Sequence, residues 1–358
     1  MKLPHITMLA ALLLTAPAAA QLQITPPAAT PGAPAEKQKP RPHTITKKKE
    51  AAPAPKPSAS PKPSPSPKPA ATVIPAPPTD DPNVDLVYGA YQRGQYKTAF
   101  DLATTRAQAG DPKAMTMLGE LYSNAMGIRR DYAKAAEWYK RAADSGDREA
   151  MFALAMLRMS GRGGPVDKGE AVKLMASAAK LGEPKAAYNL ALLYLDGQTL
   201  PQDVKRSAEL LRQAADAGLP EAQYALATFY KEGTGVPKDP ERAVRLLQAA
   251  SLADNVDAEV EYAIAMFNGT GTPKNQPAAV ALLRKASRQG SAIAQNRLAW
   301  VLINGVGTPM DKVEGFKWHL VAKTAGKGDP DLDKQLYDLP AEERAKAEAA
   351  AKKWLGTK

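Results

Sequence analysis

The chain contains no cysteine and only three histidines among 358 residues. The first absence removes disulfides, thiolate metal sites and a lipid-bearing cysteine. The second leaves nucleophile–base chemistry with little material. His5 lies in the leader and His43 in a proline-rich stretch, while His319 takes a helical position filled elsewhere by Tyr139, Met175, Leu211, Leu247 and Leu283. His319 therefore reads as a packed side chain. No His-Glu-x-x-His run occurs and no His/Cys ligand cluster can assemble, so no metal or cofactor site is expected. Long apolar runs are missing as well. Ile6 to Ala16 is mostly apolar, but it is shorter than the ~20 residues that cross a bilayer as a helix. No other segment is long enough, and no integral membrane span is expected.

What is present falls into zones. Residues 1–20 have the form of a secretory signal: Lys2, the apolar run, then Ala18-Ala19-Ala20 before Gln21, a small-residue cleavage pattern. This predicts export, cleavage after Ala20 and a periplasmic location. Residues 21–80 set proline among lysine, serine and alanine, as in Pro61-Lys62-Pro63-Ser64-Pro65. Proline has no amide to donate and blocks helix and ladder, so the stretch predicts a disordered tether rich in polyproline II. The tether carries nine Lys/Arg against three Asp/Glu; with Lys2 it holds seven of the net +11 charges and leaves +4 to residues 81–358. The basic character thus belongs to the tether. A basic domain face for nucleic acid is not indicated, and nucleic acid is not an expected partner. The tether has two readings: a solubilising spacer, or a basic arm in electrostatic contact with an anionic envelope surface.

The rest of the chain is periodic. A 36-residue unit recurs six times over 110–327, opening on Gly110, Gly146, Gly182, Gly218, Asp254 and Gly290. Alanine stands four positions on in every copy (Ala114, Ala150, Ala186, Ala222, Ala258, Ala294) and again at thirty-two (Ala142, Ala178, Ala214, Ala250, Ala286, Ala322). A fixed period of this length means stacked supersecondary units that bury their faces only against neighbours. Within the copy from Gly218, apolar residues recur at helical spacing over Ala222–Lys231 and again over Pro240–Ser251, giving helix A and helix B. A large residue (Leu118, Leu154, Leu190, Leu226, Tyr262, Leu298) is followed by a small one (Gly119, Ala155, Ala191, Ala227, Ala263, Ala299), the pattern of interdigitating helices. Glycines such as Gly233 and Gly235 permit the positive φ that leaves helix A. Prolines such as Pro237 stop it, and Asp131, Asp167, Asp203, Asp239, Asn275 and Asp311 are placed to cap helix B. Asp167–Glu170 and Asp311–Glu314 have capping-box spacing. Asp254 replaces the glycine that closes the other B helices, so the Gly218 copy is expected to end less cleanly. Residues 81–109 and 328–358 read as capping helices, the latter over Asp331–Tyr337 and Ala341–Trp354 with a polar outer side.

The run Ala114-x-x-x-Leu118-Gly119-x-x-Tyr122, Asp131, Ala135-x-x-Trp138-x-x-x-Ala142-Ala143-x-x-Gly146 resembles the Sel1-like repeat. The resemblance extends over all six units. It implies an all-α fold, an α/α superhelical solenoid of hairpins related to tetratricopeptide repeats, and an adaptor role in protein complexes, often at the bacterial envelope. The Gly182 copy departs from the pattern with Thr199 at the second glycine, and most later copies lack the tryptophan.

Function follows as an expectation. The chain reads as a non-enzymatic protein-interaction scaffold or regulator of the envelope. The alternative is a hydrolase, or a hydrolase activator, acting on peptidoglycan or polysaccharide. Gly233-Thr234-Gly235 and Gly269-Thr270-Gly271 look like phosphate cradles, but they lack the Gly-Lys-Ser/Thr ending and recur in register with the repeat, which makes them turns. Related folds line their inner groove with helix A residues two before, two after and five after the repeated leucine. Carried over, this gives a stripe of Phe152, Met156, Tyr188, Leu192, Tyr224, Ile264 and Trp300 as the partner-binding residues, able to hold a helix or an extended peptide. The same residues would instead be covered if superhelical curvature packs them against adjacent repeats.

Overall fold

The computed structural model describes residues 85–356; the expected signal, the tether and residues 81–84 of the first cap lie outside the described residues. Sixteen helices and no strand occur among the described residues. Helices α1 (Leu86–Gln92) and α2 (Tyr96–Gln108) form an entry hairpin. Six hairpins follow: α3 (Pro112–Asn124) with α4 (Tyr132–Asp144), α5 (Arg148–Ser160) with α6 (Lys168–Lys180), and α7 (Pro184–Asp196) with α8 (Val204–Asp216). Then come α9 (Pro220–Glu232) with α10 (Pro240–Leu252), α11 (Val256–Asn268) with α12 (Gln276–Arg288), and α13 (Ala292–Asn304) with α14 (Lys312–Thr324). Helices α15 (Pro330–Tyr337) and α16 (Ala341–Gly356) end the described chain. From α1 to α14 each helix packs on the next, and α16 closes against α14. This is the all-α solenoid of hairpins that the period implies.

Every helix of the six units is thirteen residues long, about 20 Å at 1.5 Å per residue. The uniform length has a local cause at each end. The Asp or Asn before each B helix accepts from the amide three residues on, as Asp131 does from Lys134 at 3.0 Å and Asp239 from Arg242 at 2.9 Å. The amide of that same residue donates back to helix A: Asp131 to Tyr122 O at 3.1 Å, Asp203 to Tyr194 O at 3.0 Å, Asp311 to Leu302 O at 2.9 Å. One side chain and one amide thus fix where B begins and how it sits on A. The capping boxes form only in half. Asp167 and Asp311 cap the Glu170 and Glu314 amides, but the glutamate carboxylates go to Arg158 and Arg284 instead of returning to the cap. A charged partner within reach outcompetes a backbone amide.

The alanine columns are the seams of the stack. All twelve alanines are 2% exposed or less, so the backbones of A and B approach without a side chain between them. The repeated leucines sit beside them, Leu118, Leu154, Leu226 and Leu298 all being buried. Gly119 has a more exact reason. A Cβ there would meet the Tyr139 ring at 2.5 Å, and Tyr139 is the largest residue in the column that Met175, Leu211, Leu247 and Leu283 share. The smallest residue faces the largest across one hairpin.

The second turn glycine does more than permit a positive φ. A Cβ on Gly163 would lie 2.1 Å from Tyr132 O, and one on Gly271 would lie 2.3 Å from Pro240 O. These turns, and those of Gly235 and Gly307, therefore rest on the first residue of the preceding unit's B helix. Thr199 takes no positive φ, yet its turn keeps the Asp203-to-Tyr194 bond, and Gln202 Nε2 donates to Leu195 O at 2.9 Å. The expected loose end after Gly218 does not occur. Asp254 itself adopts φ 58°, its amide bonds Ser251 O at 3.1 Å, and Asn255 bonds Ala250 O at 3.0 Å. The Lys285 ammonium, 2.8 Å from the Asp254 carboxylate, holds the residue there.

Candidate interaction face

The A helices carry the stripe. Phe152, Tyr188, Leu192, Tyr224, Ile264 and Trp300 are half-buried and Met156 is 39% exposed. Phe152, Tyr188 and Tyr224 pack on the core formed by α6 to α11 while keeping part of each ring accessible. The stripe is thus intermediate between a bare groove and a covered seam. It also closes toward the far end. Val260, Phe267 and Ile303, which stand in the same columns, are buried at 4%, 6% and 4% exposure. Trp300 stacks edge-on against Phe267, with ring centroids 6.5 Å apart.

Polar contacts run along the face from unit to unit. Tyr91 Oη donates to Glu120 at 3.0 Å, and Lys231 bridges to Glu261 at 3.0 Å. Burial and the nearby Glu221 carboxylate push the Tyr188 phenol up to about 12. Burial raises Tyr224 as well, with Glu261, Asp257 and Glu232 adding to it. Asp257 is itself pushed above the usual carboxylate range, first by burial and then by Glu261. The middle of the stripe therefore combines half-covered aromatic rings with carboxylates.

The turn segments Gly233–Gly235 and Gly269–Gly271 serve the hairpin seams described above, with Gly235 facing Val204 O and Gly271 facing Pro240 O. His319 is fully buried; its Nε2 lies 2.8 Å from Asp333 Oδ1, so it fastens α15 to α14. Sequence reasoning missed Glu259, a fully buried acid whose carboxylate is met by Lys285. The signal was present in register, because the other copies put Met115, Met151, Ala187, Gln223 and Gln295 there. No described helix is long and apolar enough to cross a membrane.

Comparison with known proteins agrees with this architecture. The Sel1 repeat profile matches six consecutive segments, 112–147, 148–183, 184–219, 220–255, 256–291 and 292–327. They have the 36-residue period, with each unit opening at the start of its A helix. A Sel1 repeat protein from Oxalobacter formigenes is similar in structure, at 26% identity and TM-score 0.60, over 67% of this chain and 98% of that one. The protective antigen c5321 of uropathogenic Escherichia coli, which displays the same repeat fold, is similar at 24% identity and TM-score 0.51, over 75% of this chain and 67% of that one. No curated protein matches the chain. Six matched units, spanning more than half of the sequence and coinciding with six observed hairpins, place the chain in the Sel1 repeat family.

Proposed function

We propose that the protein is a non-enzymatic scaffold or regulator of the bacterial cell envelope that holds a protein partner on the inner face of its A helices. Sel1 repeats generally serve protein–protein interaction, which gives the class. The observation that carries the finer reading is the half-covered stripe itself. Phe152, Tyr188 and Tyr224 are anchored from behind by the core yet present ring surface outward. Rings already fixed in place lose little freedom on binding, which favours them as anchors. A helix or an extended peptide laid along the stripe would cover them. The secretory leader and the basic tether support an exported, periplasmic location, with the tether as spacer or as a contact to anionic envelope surface.

The test separates binding from packing. Tyr188→Ala with Tyr224→Ala is expected to weaken partner binding by about tenfold or more, since an aromatic anchor is worth about 2 kcal/mol. Photo-crosslinkers at Met156 and Leu192 are expected to capture the partner, while one at the outward Glu209 is not. Ala186→Leu overpacks a fully buried seam and is expected to cost about 1–3 kcal/mol of stability whether or not a partner binds. If the tyrosine pair unfolds the array as much as Ala186→Leu, with binding lost only through unfolding, the interaction face is not here. Release of muropeptides by the purified protein from peptidoglycan would overturn the non-enzymatic reading.

A further inference from the structure

The period makes the chain its own comparison, because the same two positions recur at each junction between units. At the junction of the fifth and sixth units they are Arg284 on α12 and Glu314 on α14. Arg284 Nη1 lies 2.8 Å from both Glu314 oxygens. Two units earlier the same positions are Arg212 on α8 and Arg242 on α10. Two guanidiniums stand where an ion pair stands later. Tyr230 of α9 takes the place of Leu302 between them, and its Oη accepts from Arg212 Nη2 at 3.3 Å and from Arg242 Nη1 at 3.5 Å.

No other junction of the six units repeats this combination. Lys140 and Glu170 are engaged by Asp144 at 2.7 Å and Arg158 at 3.0 Å. Ala176 faces Arg206, which pairs with Glu209 at 2.9 Å, and Gln248 faces Ala278. Only between the third and fourth units do two guanidiniums and a hydroxyl converge without a carboxylate between them. Asp239 does not fill the gap. Its Oδ1 caps the Arg242 amide at 2.9 Å and its Oδ2 meets the Arg242 Nε edge at 3.1 Å, leaving the Nη edge turned to Tyr230. Both arginines are solvent-exposed, so a group from outside can reach them.

We infer that Arg212, Arg242 and the Tyr230 hydroxyl form a binding site for one carboxylate, supplied from outside the chain in the place that Glu314 occupies beside Arg284. The chemistry fits in detail. The Tyr230 oxygen accepts from both guanidiniums and keeps its own proton to donate, so a carboxylate finds two charge-assisted donors and one hydroxyl. Arg212 and Arg242 against Asp239 leave one net positive charge, the complement of a monoanion. Burial opposes ionisation of Tyr230, and the two guanidiniums outweigh it, holding the phenol below its ordinary value; the same field would hold an added carboxylate ionised. This site lies on residues outside the A-helix stripe and stands whether or not that stripe binds a partner.

The experiment is an NMR titration of the full chain carrying labelled arginine side chains. Sodium acetate is the probe, and sodium chloride at matched ionic strength is the control. The expected result is a saturable shift at Arg212 and Arg242 with acetate and none with chloride. A short blocked peptide bearing one glutamate distinguishes the source. Matching saturation by the peptide assigns delivery to a protein segment, and saturation by acetate alone assigns a free small carboxylate; either supports the site. Arg212→Gln is expected to weaken acetate about tenfold or more, the worth of a hydrogen bond to a charged group. Arg242→Glu is expected to abolish the acetate response at Arg212 while keeping the helical circular dichroism, because it supplies the carboxylate that Glu314 supplies later. Acetate shifts no different from chloride, an acetate response surviving intact in Arg242→Glu, or saturation by inorganic phosphate without acetate would each overturn the inference.

Discussion

A single methyl group decides one hairpin. Gly119 sits mid-helix, where alanine is the better helix former by about 1 kcal/mol. The Tyr139 ring would lie at 2.5 Å from the added carbon, and overpacking of this kind costs about 1–3 kcal/mol. Gly119→Ala is therefore expected to lower stability in chemical denaturation despite its better propensity. Tyr139→Leu in the same chain is expected to restore it, since leucine is what other units carry at that position. Equal losses in the single and double variants would show that the ring is not the cause. The sequence displays the alternation of large and small through the fixed spacing of Leu118 and Gly119. It does not display that Tyr139, twenty positions on, is the residue being accommodated, because that contact is set by the crossing of α3 and α4. The same limit hid Glu259 and Lys285, which are neighbours only once α11 lies on α12.

At the level of the helical hairpin, four of the six turns carry two glycines, and the two do different work. The first, such as Gly269 at φ 78°, ends helix A in the left-handed region. The second, such as Gly271 at φ 68°, also lets the turn touch Pro240 O of the unit before. Gly271→Ala thus meets both backbone strain and a carbonyl. It is expected to cost about 1–3 kcal/mol, read as a lower midpoint in urea. Gly218→Ala, at φ 87° with open space around its Cβ, bears the strain alone and should cost less. Turn positions and the caps of the B helices were legible because they depend on local chemistry, whereas helix A of the Gly218 copy, expected over Ala222–Lys231, runs over Pro220–Glu232. The fate of Asp254 was not. Its left-handed backbone is tolerated because an Asp side chain accepts that region more readily than most and because Lys285 of α12 reaches it.

The whole array ends on a charged and aromatic closure. Trp318 and Trp354 meet edge-on at 5.0 Å, and the Lys317 ammonium lies over both rings. Glu314 carries a partial burial cost, outweighed by Arg284 and the Trp318 indole, so its carboxyl is held below the usual range. Lys323 and His319 do the same to Asp333. Depressed carboxyl values in the folded state stabilise it above the unfolded values and lose that contribution as the pH falls through the folded ones. Acidification is accordingly expected to open the α14–α16 end before the central units, seen as early loss of hydrogen-exchange protection there. Uniform loss along the solenoid would refute it. The architecture of this end was legible as two helices after 328, the last with a polar outer side, and the stripe of aromatic residues was legible as a column. What no column reveals is how far each ring is covered, because curvature between units sets that.

The contact of a glycine turn with the unit before it has a consequence for chain length. Four units offer their successors the same landing place, at Tyr132, Val204, Pro240 and Gln276, and the glycine turns that follow are shaped to occupy it. Excising one period, for example 220–255, rejoins the Gly271 turn to the equivalent perch at Val204. The shortened chain is expected to fold with a single helix pair fewer, as judged by scattering and circular dichroism. Excising 35 or 37 residues sets the glycine one step off its perch and puts a side chain against a carbonyl. The molecule can therefore grow or shrink through its history only in whole steps of thirty-six, as a ruler changes length by its own divisions.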